Sequence, residues 1–317
     1  GEPRQESYGA VEPRGTAGGL TPAHRPGYAR RMIELHCVPF DGPLGDALRR
    51  PAAPGVTLYW LGQAGFAIRW RERTLLIDPY LSDTLGVKYK GRELAHERMM
   101  PVPVDPATLR GIDAVLCTHR HGDHMDPGTL PLVARGNPDC RFVVPEAERD
   151  QAIARGAPAD ALVVTDAGRS VAACDGVAVE AIPSSHETLS VDEAGHNRFL
   201  GYVLRLDGLT LYHSGDCVPY DGLEELLRRS AVDVALLPVN GRSSWLAERD
   251  IAGNFTLAEA ADLCRAVGIP YLLCHHFGMF AFNTVDETAA RSEISRMETP
   301  RAVMAETGVS WVLGPGV

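Results

Sequence analysis

Residues Thr118–Asp126 read T-H-R-H-G-D-H-M-D and continue directly from Asp113–Thr118, D-A-V-L-C-T. The apolar run reads as a short buried strand. Three histidines and one aspartate then follow within six positions: His119, His121, Asp123 and His124. Histidine makes up only 11 of 317 residues, so this density marks a site. Alternate residues of an extended chain point the same way, so His119 and His121 share a face. Gly122 permits a sharp turn that returns Asp123 and His124 toward the same point. Neutral imidazoles with a carboxylate are the donors of a catalytic zinc or a similar metal.

Around this point the chain alternates strands with helices. Val56–Trp70 reads as strand, broken by the turn Gly62–Gly65, and Thr74–Ile77 closes a hairpin ending at Asp78. Further strands are expected at Arg141–Val144, Ala161–Val164, Gly176–Ile182, Gly201–Leu206, Thr210–His213, Val232–Pro238 and Tyr271–Cys274. Helices are expected at Pro127–Ala134, Glu146–Ile153, Gly222–Arg229, Leu257–Val267 and Val285–Glu298, the last opening at Thr284. Strand-rich halves near 56–165 and 166–315 predict two sheets with helices outside. Residues 1–30 hold six glycines and four prolines among few large apolar residues, too little to offset ordering entropy. We therefore expect residues 1–50 to be an N-terminal arm, partly flexible, and 51–317 to be the functional domain.

Composition narrows the classes. Hydrophobic residues are 45% and charged residues 23%, as in ordinary globular proteins. No apolar run is long enough for a transmembrane helix, so no membrane partner is expected. The net charge of −10 argues against a broad nucleic-acid face. Seven scattered cysteines without a C-x-x-C pair argue against a disulfide scaffold and a four-cysteine zinc site. With no charged start leading into an apolar core, no signal peptide is expected, and a cytoplasmic location is the default.

The H-x-H-x-D-H run after an apolar strand resembles the signature of the metallo-β-lactamase superfamily. The other elements follow in order over about residues 56–315: the hairpin closing on Asp78, His186 in P-S-S-H-E, Asp216 in Y-H-S-G-D, and His276 in C-H-H-F-G. The resemblance implies an α/β fold, the four-layer αββα sandwich, and two divalent metal ions, Zn or Mn. One metal would take His119, His121 and His186. The other would take Asp123, His124 and His276, with Asp216 bridging. His275 competes with His276, and the family's histidine–aromatic ending favours His276. Asp123 and Asp216 would also be catalytic, holding a bridging hydroxide. The chain would then be a metal-dependent hydrolase of a small-molecule ester. Six or seven ligands exceed what a four-coordinate structural zinc needs.

Within the superfamily, W-L-G-x-x-G-F from Trp60 and L-Y-H-S-G-D up to Asp216 look like the L-ascorbate-6-phosphate lactonase-like branch. That implies a lactone of a small anionic or sugar-like molecule; the alternative is a phosphodiester. The loop Gly241–Asn254 is longer than the branch pattern and puts Arg242, Trp245 and Asn254 forward as substrate-binding residues. His196, in a polar loop after His186, joins them. Tyr220 is a candidate donor to the leaving group. His96 has no partner evident in sequence. A homo-oligomer is open.

Overall fold

A computed structural model describes residues 33–51 and 53–315. Among the described residues fifteen strands make two sheets. Their first eight strands in chain order are β1 (Ile33–Pro39), β2 (Val56–Gly62), β3 (Gly65–Trp70), β4 (Arg73–Ile77), β5 (Ala114–Leu116), β6 (Arg141–Pro145), β7 (Leu162–Thr165) and β8 (Ser170–Cys174). The rest are β9 (Val177–Pro183), β10 (Leu200–Leu206), β11 (Leu209–His213), β12 (Val234–Pro238), β13 (Tyr271–His275), β14 (Arg301–Met304) and β15 (Val309–Pro315). One sheet runs β1-β15-β2-β3-β4-β5-β6-β7 and the other β14-β13-β12-β11-β10-β9-β8. Helices α1 (Leu44–Arg49), α2 (Thr84–Lys88), α3 (Leu130–Gly136) and α4 (Arg149–Ala154) belong to the first half. Helices α5 (Leu223–Ser230), α6 (Ser244–Ala247), α7 (Leu257–Val267) and α8 (Glu287–Ile294) belong to the second.

Strand period sorts the layers. Val56, Leu58 and Trp60 of β2 join the core between the sheets, while Tyr59 and Leu61 join a second core beneath α1, α3 and α4. In β4, Leu75 and Ile77 face the first core and Leu76 the second. Both faces are buried, which is why these strands read as continuous apolar runs. On the far side, α5 and α7 add Leu223, Leu227, Leu257 and Cys264 to the inter-sheet core cluster. This is the αββα sandwich.

Three expectations need correction. The arm does not extend to residue 50: β1 pairs antiparallel with β15 from Ile33↔Pro315 to Pro39↔Val309. Leu44, Ala47 and Leu48 of α1 are buried in the second core. Glycine and proline continue through this segment, at Pro39, Gly42, Pro43 and Gly45, yet its apolar side chains pack into the core; residues 1–32 lie outside the described residues. The two-halves division also fails at the C-terminus, because β15 crosses to pair with β2 and close the first sheet. Helix α8 is shorter than expected: Asp286 caps it by accepting from the Ala289 amide, while the Thr284 hydroxyl accepts from the Gly278 amide instead.

The strands that matter share a direction. β4 and β5 run parallel, as do β11, β12 and β13. Two antiparallel steps make β2 parallel to β4, and two more make β9 parallel to β11. The segments leaving the C-terminal ends of β2, β4, β5, β9, β11 and β13 therefore gather at one edge of the sandwich.

Candidate metal centre

Each of those six strand ends delivers a side chain. β5 leads into His119–His124, β9 into His186, β11 into Asp216 and β13 into His276. Ligand atoms of His119, His121, His186 and Asp216 lie within 4.8 Å of one another, and so do those of Asp123, His124 and His276. Asp216 stands between the two sets. Its Oδ1 is 3.2 Å from His124 Nε2 and 3.1 Å from His276 Nε2, and its Oδ2 is 3.6 Å from His186 Nε2. Asp123 Oδ2 is 3.7 Å from both His124 Nε2 and His276 Nε2.

These spacings suit a metal. Donors about 2.0–2.2 Å from a tetrahedral cation sit roughly 3.3–3.6 Å from each other. His186 Nε2 and His121 Nδ1 approach to 3.2 Å, an edge of that length. His119 Nε2, His124 Nε2 and Asp216 Oδ1 are buried with no hydrogen-bond partner. Buried polar atoms are rarely left so, and three of them converging fit a shared cation.

The surroundings fix the rings. Asp78, at the end of β4, accepts from the Thr118 amide (2.8 Å), the Thr118 hydroxyl (2.7 Å) and His124 Nδ1 (2.7 Å). The Thr118 hydroxyl, having donated to Asp78, accepts from His119 Nδ1 at 3.0 Å. Both rings thus carry their proton on Nδ1 and turn a bare Nε2 inward. Gln63, at the end of β2, donates to Asp123 Oδ2 at 2.8 Å, and its carbonyl accepts from the His276 amide at 2.9 Å. Asp126 is buried and is not a ligand; it ties the loop down by accepting from Ser82, Thr84 and Thr129. Gly215 has φ +61°, and a Cβ there would lie 2.8 Å from the Thr118 side chain, so only glycine brings Asp216 in this close.

Electrostatics follow geometry. Burial pushes His119 well below the ordinary histidine range and His121 down to about 4, with neighbouring histidines adding to the effect. Burial lowers His186 too. Burial also opposes charge on His124 and His276, but the Asp216 carboxylate, with Asp123 and for His124 also Asp78, outweighs it and lifts both. Asp216 stays ionised far below the usual carboxylate range because His124 and His276 overcome its burial.

His275 turns away from this centre. It stacks on His213 at 4.9 Å and meets the edge of Phe66 at 5.5 Å. His213 Nδ1 accepts from the Gly215 amide and its Nε2 donates to the Ala64 carbonyl, so it shapes the turn that carries Asp216.

A cavity of about 360 Å³ opens over these histidines and aspartates. Of the four residues put forward for substrate, none lines it. Arg242 is locked by two hydrogen bonds, 2.7 and 2.6 Å, to both oxygens of Glu259, and faces a neighbouring cavity of about 410 Å³. Trp245 is 45% exposed under the Arg249 guanidinium. His196 pairs with Asp192 and Glu146. Asn254 is buried and reaches the cavity only through a chain, donating to Asn240, which donates to Asn283 in the cavity wall. The long loop does touch the cavity, but through Asp250–Ala252. Tyr220 donates to the Pro183 carbonyl at 2.6 Å and is committed there. The wall is built instead from Lys88, Tyr89, His96, Arg120, Arg155, Phe280 and Phe282. None of these was read as functional. Arg120 was open to view between His119 and His121; the others come together only through folding.

A family model, the beta-lactamase superfamily domain, matches residues 73–277. The chain belongs to the metallo-β-lactamase superfamily of metal-dependent hydrolases. It is similar to a UPF0173 metal-dependent hydrolase of Myxococcus xanthus, 28% identical over 279 residues, 84% of this chain and 88% of that one. Among solved structures it resembles a possible metal-dependent hydrolase of Veillonella parvula, with TM-score 0.63, 18% identity, and 81% and 99% of the two chains covered. It also resembles an isothiocyanate hydrolase from Delia radicum gut bacteria, with TM-score 0.62, 19% identity, and 80% and 98% covered. At these identities the structures speak for the fold.

Proposed function

We propose that this chain is a dinuclear hydrolase that opens an ester-type bond, its substrate a lactone of a small anionic molecule. The observation that carries the reading is Asp216, whose two oxygens face both ligand sets. Two divalent cations held there, zinc or manganese, would supply a water of lowered pKa and a clamp for negative charge developing on the carbonyl oxygen. The protein's own groups do the rest. Asp78 and Thr118 hold His124 and His119 in one tautomer, so neither ring must reorganise during turnover. Gln63 fixes Asp123, leaving that carboxylate placed to orient the attacking water. Tyr89, His96, Phe280 and Phe282 give the cavity an aromatic side that sheds water from the reacting bond. The cavity volume suits a small molecule. Seven unpaired cysteines suit a reducing cytoplasm. No helix among the described residues is long and apolar enough to cross a membrane.

The test is a screen of metal-loaded protein against lactones and aryl phosphodiesters. Ring opening that stops with chelator and returns with metal is expected. Rapid phosphodiester cleavage with every lactone ignored would hand the site to a phosphodiesterase.

A further inference from the structure

The cavity's charge is unbalanced beside the metal ligands. Lys88, Arg120 and Arg155 line it, and Asp250 is the one carboxylate among its lining residues outside the ligand sets. None of the three cations makes an ion pair within the described residues. Lys88 sits over the Tyr89 ring at 4.8 Å, and Arg155 donates through Nη1 to the Met125 carbonyl at 2.8 Å. A guanidinium has five N–H donors, so most of the capacity of both arginines is unspent. The carboxylates of the centre do not claim it: within the described residues neither Asp123 nor Asp216 forms an ion pair with Arg120 or Arg155, and both face the histidines of the centre.

Glu148 is only 1% exposed and lies within the charge field of both arginines. Burial raises the pKa of its carboxyl, and the charges of Arg120, Arg198 and Arg155 pull it back. Arg198 Nη1 stands 3.4 Å from Glu148 Oε1. Arg198 thus makes the ion pair to this carboxylate, while Arg120 and Arg155, which face the cavity, make none within the described residues. Excess positive charge is left over on the cavity side.

We infer that Arg120 and Arg155 form a subsite for an anionic group of the substrate, a carboxylate or a phosphate, beside the metal centre. The inference deepens the hydrolase reading and rests on it for where the substrate lies. It also supplies the anion site first sought at Arg242, whose donors are spent on Glu259.

Ligand binding, rather than turnover, tests this. Calorimetry on the metal-loaded protein would compare a hydroxy acid, as product mimic, with the same molecule carrying a second carboxylate or a phosphate at its far end. Wild type should bind at least one of the doubly anionic ligands roughly 10-fold or more tighter, the scale of a charge-assisted hydrogen bond. Whichever ligand gains identifies carboxylate or phosphate as the group recognised. Arg120→Gln and Arg155→Gln should each lose most of the gain while binding the singly charged ligand as before. Arg120 is exposed, so its variant will fold, and Arg155→Lys backs up the second position. Equal affinities in wild type, or a gain that survives in both arginine variants, would overturn the subsite. A protein that turns over no ester or lactone yet shows this pattern would fail the hydrolase reading alone.

Discussion

Three of the non-glycine residues with left-handed backbone surround the centre: Gln63 (φ 51°), Asp78 (φ 45°) and His276 (φ 65°). Each such residue costs energy that the surroundings must offset, and such costs cluster where function needs a fixed geometry. Asp78 shows what the strain holds in place. Replacing it by Asn exchanges the acceptor of His124 Nδ1 for a weaker one and removes the charge behind the ring. Metal affinity should fall roughly 10–100-fold, read by competition with a calibrated chelator; unchanged affinity would mean Asp78 is only structural. The histidines and aspartates that the structure gathers were legible because each sits in a short run at a strand end, where residue type and order carry the information. The pairing of Arg242 was not legible, because its partner Glu259 lies 17 positions away on the first turn of α7. The cavity wall was not legible at all. His96 finds Tyr89, Phe280 and Phe282 only after folding, with ring centroids 4.1–4.9 Å away.

At the scale of elements, α7 was read residue for residue, and the reason is local. Thr256 and Glu259 form a reciprocal capping box at its start, and Gly268 ends it at φ 81°. Arg242 extends that cap. It holds the Glu259 carboxyl at about 2, together with the Thr256 amide and against partial burial. Stability from this contact is full above the ordinary value of 4.5, where Glu259 is ionised folded or unfolded. It falls as pH drops from 4.5 toward 2, because the unfolded chain takes up the proton first. Arg242→Met should therefore destabilise by less than about 1 kcal/mol near neutrality, since the pair is solvent-screened. The difference from wild type should vanish near pH 2. Thermal unfolding across pH checks both, and a raised KM with unchanged stability would return Arg242 to the substrate. Of the strands that sequence did not reveal, β1, β8, β14 and β15, two owe their place to partners distant in the chain: β1 lies against β15, and β15 against β2.

At the scale of the whole molecule, the centre is a seam between the sheets. The first sheet supplies Gln63, Asp78 and the loop after β5; the second supplies His186, Asp216 and His276. Tyr202 of β10 donates to the Cys117 carbonyl at 2.8 Å, and the Leu200 amide donates to the Thr118 carbonyl at 3.0 Å. Tyr202→Phe leaves that buried carbonyl unpaired and should cost about 1–3 kcal/mol in denaturant unfolding. A metal bound across the seam stabilises the folded state by mass action, so chelation should lower Tm for the entire domain in one transition. A melting curve indifferent to chelator would detach the centre from the fold.

The central claim is a pair of cations bridged by Asp216, and counting metal tests it most directly. Elemental analysis of protein loaded with zinc or manganese and freed of excess should give about two equivalents per chain. Asp216→Ala should fall clearly below that while remaining folded by circular dichroism, because the carboxylate that screens one cation from the other is gone. A wild-type protein that hydrolyses its ester at full rate with one equivalent or none, or an Asp216→Ala protein that keeps both, would contradict the account.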